Sequence, residues 1–139
     1  MELDFSVLLS AIIITGGRTG HGTTDEATKV QLLHQNGTLI CNLPSLPEER
    51  YGHTLNGLVV CGGRNYTHFR STCSTFHNGF WVESHNLKEP RYIHSSWSSP
   101  DGVMLLGGKW IDGHFDPPIT SELLTKDGAR KDFDLKYRT

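Results

Sequence analysis

Several features of membrane and nucleic-acid-binding proteins are missing from this chain. Among its 139 residues, no apolar run reaches the 18 residues that a membrane-spanning helix needs. The formal net charge is only −2, so the basic excess typical of nucleic-acid binding is absent too. The hydrophobic share of 36% argues against a disordered chain. These absences leave a small folded protein for which neither a membrane nor a nucleic acid is predicted as a partner.

The first residues lack the positive charge that a secretory signal peptide carries. Glu2 and Asp4 stand where such a peptide needs lysine or arginine, and the apolar stretch after them runs into a structural motif. Residues 1–17 are therefore interpreted as part of the fold. The location of the protein stays open, with the cytoplasm slightly favoured.

Cysteine is scarce, and the eight histidines are scattered. Cys41, Cys61 and Cys73 give an odd count without metal-like spacing, so the favoured interpretation is three small buried hydrophobes. A Cys61–Cys73 disulfide between neighbouring strands is the alternative, which leaves the redox compartment open. No His-x-x-x-His pair, Gly-x-Ser-x-Gly, P-loop or paired-carboxylate pattern occurs. Neither a metal, a cofactor nor an enzymatic activity is predicted.

What the chain does contain is a repeat. Three apolar runs each end in a diglycine, at Gly16-Gly17, Gly62-Gly63 and Gly107-Gly108. The spacing is 46 residues from Gly16 to Gly62 and 45 residues from Gly62 to Gly107. A period of this size is typical of solenoids, propellers and repeat arrays. The apolar runs predict buried strands.

Two further motifs recur out of phase with the diglycines. Asn36-Gly37, Asn78-Gly79 and Asp127-Gly128 each predict a type I′ hairpin turn between two strands. Arg-Tyr-x-His occurs at residues 50–53 and 91–94, each time after a segment rich in proline, glutamate and leucine. We expect this motif to lie on the first strand of a unit. Each unit then has four antiparallel strands, about twelve in all.

Diglycine, Arg-x-x-His and a downstream aromatic pair together resemble kelch repeats. Phe76 and Trp81 stand where kelch blades place a tyrosine and a tryptophan, whereas the first and third repeats have Leu33 and Leu124 at the first aromatic position and lack the tryptophan. The resemblance implies an all-β fold of three four-stranded propeller blades, at about 1–46, 47–89 and 90–139. It assigns structural roles to Gly16, Gly17, Arg50, His53, Gly62, Gly63, Phe76, Trp81, Arg91, His94, Gly107 and Gly108.

Three blades are fewer than the four to eight with which propellers close. The favoured interpretation is a fragment or truncated product of a six- or seven-bladed propeller. Self-association through the exposed end blades, which would complete a ring, is the alternative.

Loops after the diglycines are the predicted functional surface, because loops on a rigid scaffold carry binding residues disproportionately. Residues 64–70 and 109–118 combine aromatic residues with arginine, as interface hot spots do. We therefore expect a non-catalytic module that binds a protein of unknown identity. Fragments of a galactose-oxidase-like copper enzyme, or a truncated product with only a structural role, are the alternatives. The candidate binding residues are Arg64, Tyr66, Phe69, Arg70, Trp110 and Phe115.

Two glycosylation sequons, Asn36-Gly37-Thr38 and Asn65-Tyr66-Thr67, fall on predicted turns or loops. Asn36 is also explained as a hairpin residue, so their modification stays open.

Overall fold

The computed structural model describes residues 10–18, 28–84, 86–108 and 120–134, and only the backbone of 130–134. Almost none of this part of the chain is helical. In chain order the strands are β1 (Ile12–Thr15), β2 (Val30–Leu33), β3 (Leu39–Leu43), β4 (Thr54–Asn56), β5 (Val59–Cys61), β6 (Cys73–His77), β7 (Phe80–Glu83), β8 (Ser95–Ser99), β9 (Gly102–Leu106), β10 (Thr120–Thr125) and β11 (Gly128–Asp134).

These strands form three antiparallel sheets in which each strand pairs with its neighbours in sequence. Sheet 1 contains β1–β3, sheet 2 contains β4–β7 and sheet 3 contains β8–β11. The prediction of an all-β chain is confirmed. Within the described residues, however, sheet 1 has three strands where four were predicted, so eleven strands are found and not twelve.

Two apolar cores hold the sheets together in sequence order. The first joins Leu32 and Leu43 of sheet 1 to Val60 of sheet 2, with Trp81 packed against its edge. The second joins the cysteines of sheet 2 to Leu105 and Leu124 of sheet 3. Sheet 2 therefore lies between the other two and contributes side chains to both cores.

All three predicted hairpins form, but their turns differ. Asn78 and Gly79 have φ values of 50° and 82°, which is the type I′ conformation that Asn-Gly favours. In the other two hairpins only the glycines, Gly37 and Gly128, have positive φ. The prediction of a type I′ turn is therefore wrong for these two. A register shift at Leu32/Leu33 accompanies the longer turn in sheet 1.

The Arg-Tyr-x-His motif precedes the first strand of a sheet and is not part of it, contrary to the prediction. Strands β4 and β8 begin at Thr54 and Ser95, directly after the motif's histidine. The third residue of each motif breaks the extended backbone, because Gly52 and Ile93 have φ values of 64° and 53°. The two kinks are joined by a 2.8 Å hydrogen bond from the Ile93 amide to Gly52 O.

Burial of the strands before the diglycines differs from one sheet to the next. Val60 and Leu105 occupy equivalent positions, two residues before a diglycine, and both are 0% exposed. Ile14 occupies the same position in sheet 1 and is 46% exposed. Residue Ile13 points into the first core instead. The prediction of a fully buried strand is therefore wrong for β1.

Cys61 and Cys73 face each other across β5 and β6 and form a disulfide, with 4.2 Å between their Cα atoms. Both are buried on strands, as the favoured interpretation predicted, but they are bonded to each other, which was the alternative. Cys41 is a free, half-buried thiol in sheet 1.

Candidate functional site

Arginines and aromatic rings meet where the strands before the first two diglycines end. We call this cluster the arginine–tyrosine surface. Its residues come from the segments that follow these diglycines and from both Arg-Tyr-x-His motifs, so all three repeats contribute. Its members are Arg18, Tyr51, Arg64, Tyr66, Phe69 and Tyr92.

Diglycine geometry brings the repeats together. The amide of Gly17 donates a 3.2 Å hydrogen bond to Arg50 O, and the equivalent Gly63 amide donates a 2.6 Å bond to Arg91 O. A Cβ atom at Gly63, whose φ is 87°, would lie 2.9 Å from Tyr51 O. Glycine is therefore required here by both conformation and close approach. The first two diglycines thus each bond to the arginine of the next repeat.

Backbone hydrogen bonds then place the loop of sheet 2. Tyr51 and Arg64 exchange two amide–carbonyl bonds, of 2.9 and 3.0 Å. The Asn65 carboxamide oxygen accepts hydrogen bonds from the amides of Thr67 and His68, at 3.0 and 2.7 Å, and shapes an Asx turn. Phe69 then pairs with Arg64 in an isolated bridge. The Asn65 side chain and the backbone of Tyr51 therefore both fix the conformation of this loop.

Arg64 lies over three rings. Its guanidinium carbon is 4.6 Å from the ring centre of Phe69, 5.6 Å from that of Tyr92 and 6.0 Å from that of Tyr51. Its Nε donates a 3.0 Å bond to Asn65 O. These distances are within the usual range for cation–π attraction, and they orient the guanidinium along the surface.

Arg18 extends the cluster to its exposed edge. Its guanidinium carbon lies 5.1 Å from the ring centre of Tyr66 and 5.6 Å from that of Tyr51. Tyr66 is 49% exposed, and its ring makes an edge contact with Tyr51 at 6.3 Å. The Tyr51 ring in turn contacts Tyr92 at 5.7 Å. The surface is thus a connected set of rings with two cations on it.

Such a surface can bind by shape, ring contacts and hydrogen bonds. A guanidinium stacked on rings still presents N–H groups in its own plane, where carbonyl or carboxylate oxygens can accept them. Tyrosine offers a large apolar face with a polar tip. Both residue types are enriched in the hot spots of protein interfaces.

Beneath this surface lie two buried arginine anchors. Arg50 Nη1 donates 2.9 Å bonds to the carbonyls of Gly62 and Thr72. Arg91 Nη1 donates in the same way to Gly107 and Thr120, at 2.7 and 2.9 Å. Each anchor therefore ties the start of its sheet to the diglycine of the same sheet.

The motif histidines sit between the sheets. His53 Nε2 lies 2.8 Å from the Thr15 hydroxyl, and His94 Nε2 lies 2.9 Å from the Thr54 hydroxyl. Burial, reinforced by the nearby charges of Arg50 and Arg91, lowers the pKa of each imidazole from 6.5 to about 4. Both rings are therefore neutral at pH 7, as befits hydrogen-bonding residues inside a core.

The candidate binding residues fall into three groups. Arg64, Tyr66 and Phe69 belong to the arginine–tyrosine surface. Arg70 turns inward, where its Nε donates to Glu49 O at 2.8 Å and its Nη1 pairs with a Glu48 carboxylate oxygen at 3.1 Å. Trp110 and Phe115 lie outside the described residues.

Among the framework residues, Phe76 and Trp81 form a cross-strand ring pair 5.2 Å apart, and the indole donates to Pro44 O. That bond links sheet 2 to the segment after sheet 1. Gly16 and Gly107 donate their amides to Lys29 O and Thr120 O.

Sequence reasoning missed Arg18, Tyr51 and Tyr92 as members of the surface. A signal was present, because both Arg-Tyr-x-His motifs carry a tyrosine and a basic residue follows every diglycine. The carboxylates that pair with the anchors, Glu48 and Glu122, were missed as well. Glu48 had a local signal, because a glutamate stands two residues before the arginine in both motifs, whereas Glu122 lies 31 residues after Arg91 and had none.

Comparison with known proteins adds no assignment, since the chain matches no protein-family profile and no curated protein. In the described part of the chain, no three His, Cys, Asp or Glu residues group as metal ligands. No helix within those same ranges is long and apolar enough to cross a membrane.

Proposed function

We propose that the chain is a non-catalytic protein-binding module built from kelch-type propeller blades, and that its arginine–tyrosine surface contacts the partner. The three sheets, their strand order and their face-to-face packing fit blades that stack around an axis.

Repetition of the contacts supports the kelch interpretation. The diglycine amide, the buried arginine and the motif histidine make equivalent bonds in successive repeats, at Gly17 and Gly63, Arg50 and Arg91, and His53 and His94. Repeats that contact only their neighbours through equivalent residues are the mark of such architectures.

One observation carries the binding proposal. Two arginines and three tyrosines share a single surface with Phe69. Clustered tyrosine and arginine are the composition of a hot spot. Tyr66, at the exposed edge, is the residue that a partner can reach most directly.

A peptide selection tests this surface. Random peptides displayed on phage are selected against the folded chain, and the dissociation constants of the enriched peptides are measured for Tyr66→Ala and Arg64→Ala. We expect each substitution to weaken binding by at least about 1 kcal/mol, roughly fivefold.

Phe80 supplies the matched control. It is an aromatic residue, 68% exposed, beside the 78–79 turn at the opposite end of the sheet. Phe80→Ala should leave the dissociation constants unchanged. Peptides that tolerate both surface substitutions but lose affinity with Phe80→Ala would move the binding site to the hairpin end and overturn the proposal.

Self-association is a second candidate, favoured by the exposure of Ile14. Its equivalents Val60 and Leu105 are fully buried because a preceding sheet covers them. Ile12 and Leu39 are exposed as well, so sheet 1 presents an apolar face of the kind that the other two sheets bury. A second copy of the chain is the occupant that we propose for this face.

Light scattering at micromolar concentration tests this candidate. We expect a mass that rises with concentration, and Ile14→Lys should restore the monomer mass because a charge in that face opposes its burial. A wild-type mass that stays monomeric across the concentration range would contradict it.

A further inference from the structure

Both sequons hold their asparagine in the same local geometry. Thr38 directs its backbone amide and its hydroxyl to the Asn36 carboxamide oxygen, at 3.0 and 2.7 Å. Thr67 directs the same two groups to Asn65, at 3.0 and 3.1 Å. Two donors on one amide oxygen withdraw electron density from the amide, which makes a proton on Nδ2 easier to remove.

The two sites differ in the hydrogen bonds of the threonine hydroxyl and in the exposure of the asparagine. Thr67 Oγ1 also lies 2.7 Å from His68 Nδ1, so this hydroxyl has a second hydrogen-bond partner that the Thr38 hydroxyl lacks among the described residues. Asn65 is half-buried beside Arg64 and Tyr66. Asn36, by contrast, lies in the turn between β2 and β3, where residues 34–39 are all exposed. Asn65 has one more donor on its oxygen, the His68 amide, but exposure decides access for the transferase, and Asn36 is the more accessible of the two.

The disulfide supplies an independent observation about the compartment. Cys61 and Cys73 are bonded across adjacent strands. Persistent disulfides are typical of secreted proteins and of the endoplasmic reticulum lumen, and N-glycans are added to sequons of secreted proteins. This evidence departs from the cytoplasmic location that the first residues slightly favour.

We propose that Asn36 is an N-glycosylation site that is modified when the chain folds in the oxidising lumen of the endoplasmic reticulum. Asn36 Nδ2 attacks the anomeric carbon of a polyprenyl-diphosphate-linked oligosaccharide. The N–C bond forms as the bond from carbon to the diphosphate oxygen breaks. The diphosphate leaves with that electron pair, and Nδ2 loses one proton. No oxidation or reduction accompanies the transfer.

A glycan at Asn36 leaves the arginine–tyrosine surface open. Strand β2 begins opposite Thr15, beside the first diglycine, and runs away from it to the 34–38 turn. Asn36 therefore lies at the end of sheet 1 opposite the diglycine. Glycosylation here and binding at the surface are independent, so either proposal can fail without the other.

Sheet 2 provides an internal control. Asn78-Gly79-Phe80 is the equivalent hairpin turn, but phenylalanine replaces the hydroxyl residue that a sequon needs. Phe80→Thr creates the missing sequon at an exposed turn. A second substitution, Thr38→Ser, keeps the hydroxyl at the native site, whereas Thr38→Ala removes it.

The test is translation of the full chain, fused behind a cleavable endoplasmic-reticulum signal, in the presence of microsomes. Peptide mass spectrometry after peptide N-glycosidase treatment in water labelled with oxygen-18 identifies each modified asparagine by its conversion to labelled aspartate, and an untreated sample in the same water corrects for spontaneous deamidation of the Asn-Gly pairs. We expect Asn36 to be modified in wild type and Thr38→Ser, unmodified in Thr38→Ala, and joined by Asn78 in Phe80→Thr. Occupancy of Asn65 should be lower than that of Asn36.

Formation of the Cys61–Cys73 bond, read from the same non-reduced peptides, shows that each variant folds. A folded wild type whose Asn36 is unmodified overturns the proposal, and so does modification at Asn65 alone.

Discussion

Two buried arginines, Arg50 in front of sheet 2 and Arg91 in front of sheet 3, make the same bonds to their sheets but balance their charge differently. Both donate to the carbonyl of a diglycine glycine and to the hydroxyl of a threonine, Thr72 or Thr120. Arg91 adds a 2.9 Å bond from Nε to Glu122, a carboxylate that is itself 1% exposed. Each anchor pairs with a glutamate two residues before it, Glu48 or Glu89, and Arg91 alone has a second, buried counter-ion.

Ser74 occupies the position in sheet 2 that Glu122 occupies in sheet 3. Among the described residues, Arg50 Nε accordingly has no hydrogen-bond partner, and its carboxylate is Glu48, which is as exposed as the equivalent Glu89 beside Arg91. Burial lowers the pKa of Arg50 from 12.5 to about 10. Glu122 also accepts the backbone amides of Lys88 and Glu89, so it holds the connection between sheets 2 and 3. The residue at this position, Ser74 or Glu122, therefore determines whether the sheet holds the segment that connects it to the preceding sheet.

Substitution of Glu122 should have the largest effect on stability. Glu122→Ala leaves Arg91 Nε without its buried carboxylate, with only the more exposed Glu89 as a counter-ion, and we expect the free energy of unfolding to fall by about 3 kcal/mol. Urea denaturation followed by circular dichroism measures the loss. Ser74→Ala, at the equivalent position, should cost about 1 kcal/mol or less. Similar losses for both variants would show that Glu122 adds nothing beyond the shared anchor.

Sheet 2 has a covalent link where sheet 3 has Leu106 facing Ser121. The disulfide closes a loop of 12 residues, and its reduction should lower the free energy of unfolding by about 3 kcal/mol. Urea denaturation with and without dithiothreitol measures this. The Cys41→Ser variant, which lacks the free thiol, should respond to dithiothreitol as wild type does. If the free energy of unfolding were the same with and without dithiothreitol, the disulfide would not contribute to stability.

The two motif histidines should respond alike to acid. Each has a folded-state pKa of about 4, below the ordinary 6.5, so the unfolded chain binds protons first as the pH falls. The stability that each contributes is complete above pH 6.5 and is lost as the pH falls towards 4, with about 2 kcal/mol lost per histidine at pH 5. Unfolding free energies measured between pH 7 and 5 test this.

His53→Gln should remove about half of that pH dependence, since His94 remains. A pH dependence unchanged by His53→Gln would place the titrating groups elsewhere.

The smallest expected effect on stability concerns the two kinks, at Gly52 and Ile93. Ile93 is a β-branched residue with a φ of 53° and is 60% exposed, so Ile93→Gly relieves backbone strain and gives up little packing. We expect a gain of about 1 kcal/mol in the free energy of unfolding. Gly52→Ala should instead destabilise, because a Cβ there would overlap the Tyr92 ring. Thermal unfolding of both variants tests these two predictions. A loss of stability in Ile93→Gly would show that the backbone at Ile93 is not strained.

Regular spacing made most of the fold predictable. The diglycines and the Asn-Gly turns recur at fixed offsets, and these local signals predict strands and hairpins directly. The position of Arg-Tyr-x-His was not predictable in the same way. Isoleucine rarely adopts a positive φ, so the kink at Ile93 could not be predicted from that residue. It accompanies contacts between sheets, which residues near Ile93 in sequence do not indicate.

The candidate site was predictable only in part. Loop composition pointed to Arg64, Tyr66 and Phe69, but Tyr51 and Tyr92 were interpreted as parts of the repeat framework. Their membership depends on how two repeats approach each other in space. Arg70 shows the reverse, since a residue in a variable loop proves to be tied to Glu48 and Glu49. Composition indicates which residues can bind, whereas the fold decides which way they point.

The disulfide has a consequence for how the loop between β5 and β6 can change. Cys61 and Cys73 close residues 62–72 into a covalent ring at the base of that loop. A protease that cuts inside the ring leaves both halves joined to sheet 2. Substitutions or insertions there likewise cannot pull the two strands apart while the bond holds. The loop that carries Arg64 and Tyr66 is thereby free to diversify, as the loops of antibody domains do on their disulfide-linked scaffold.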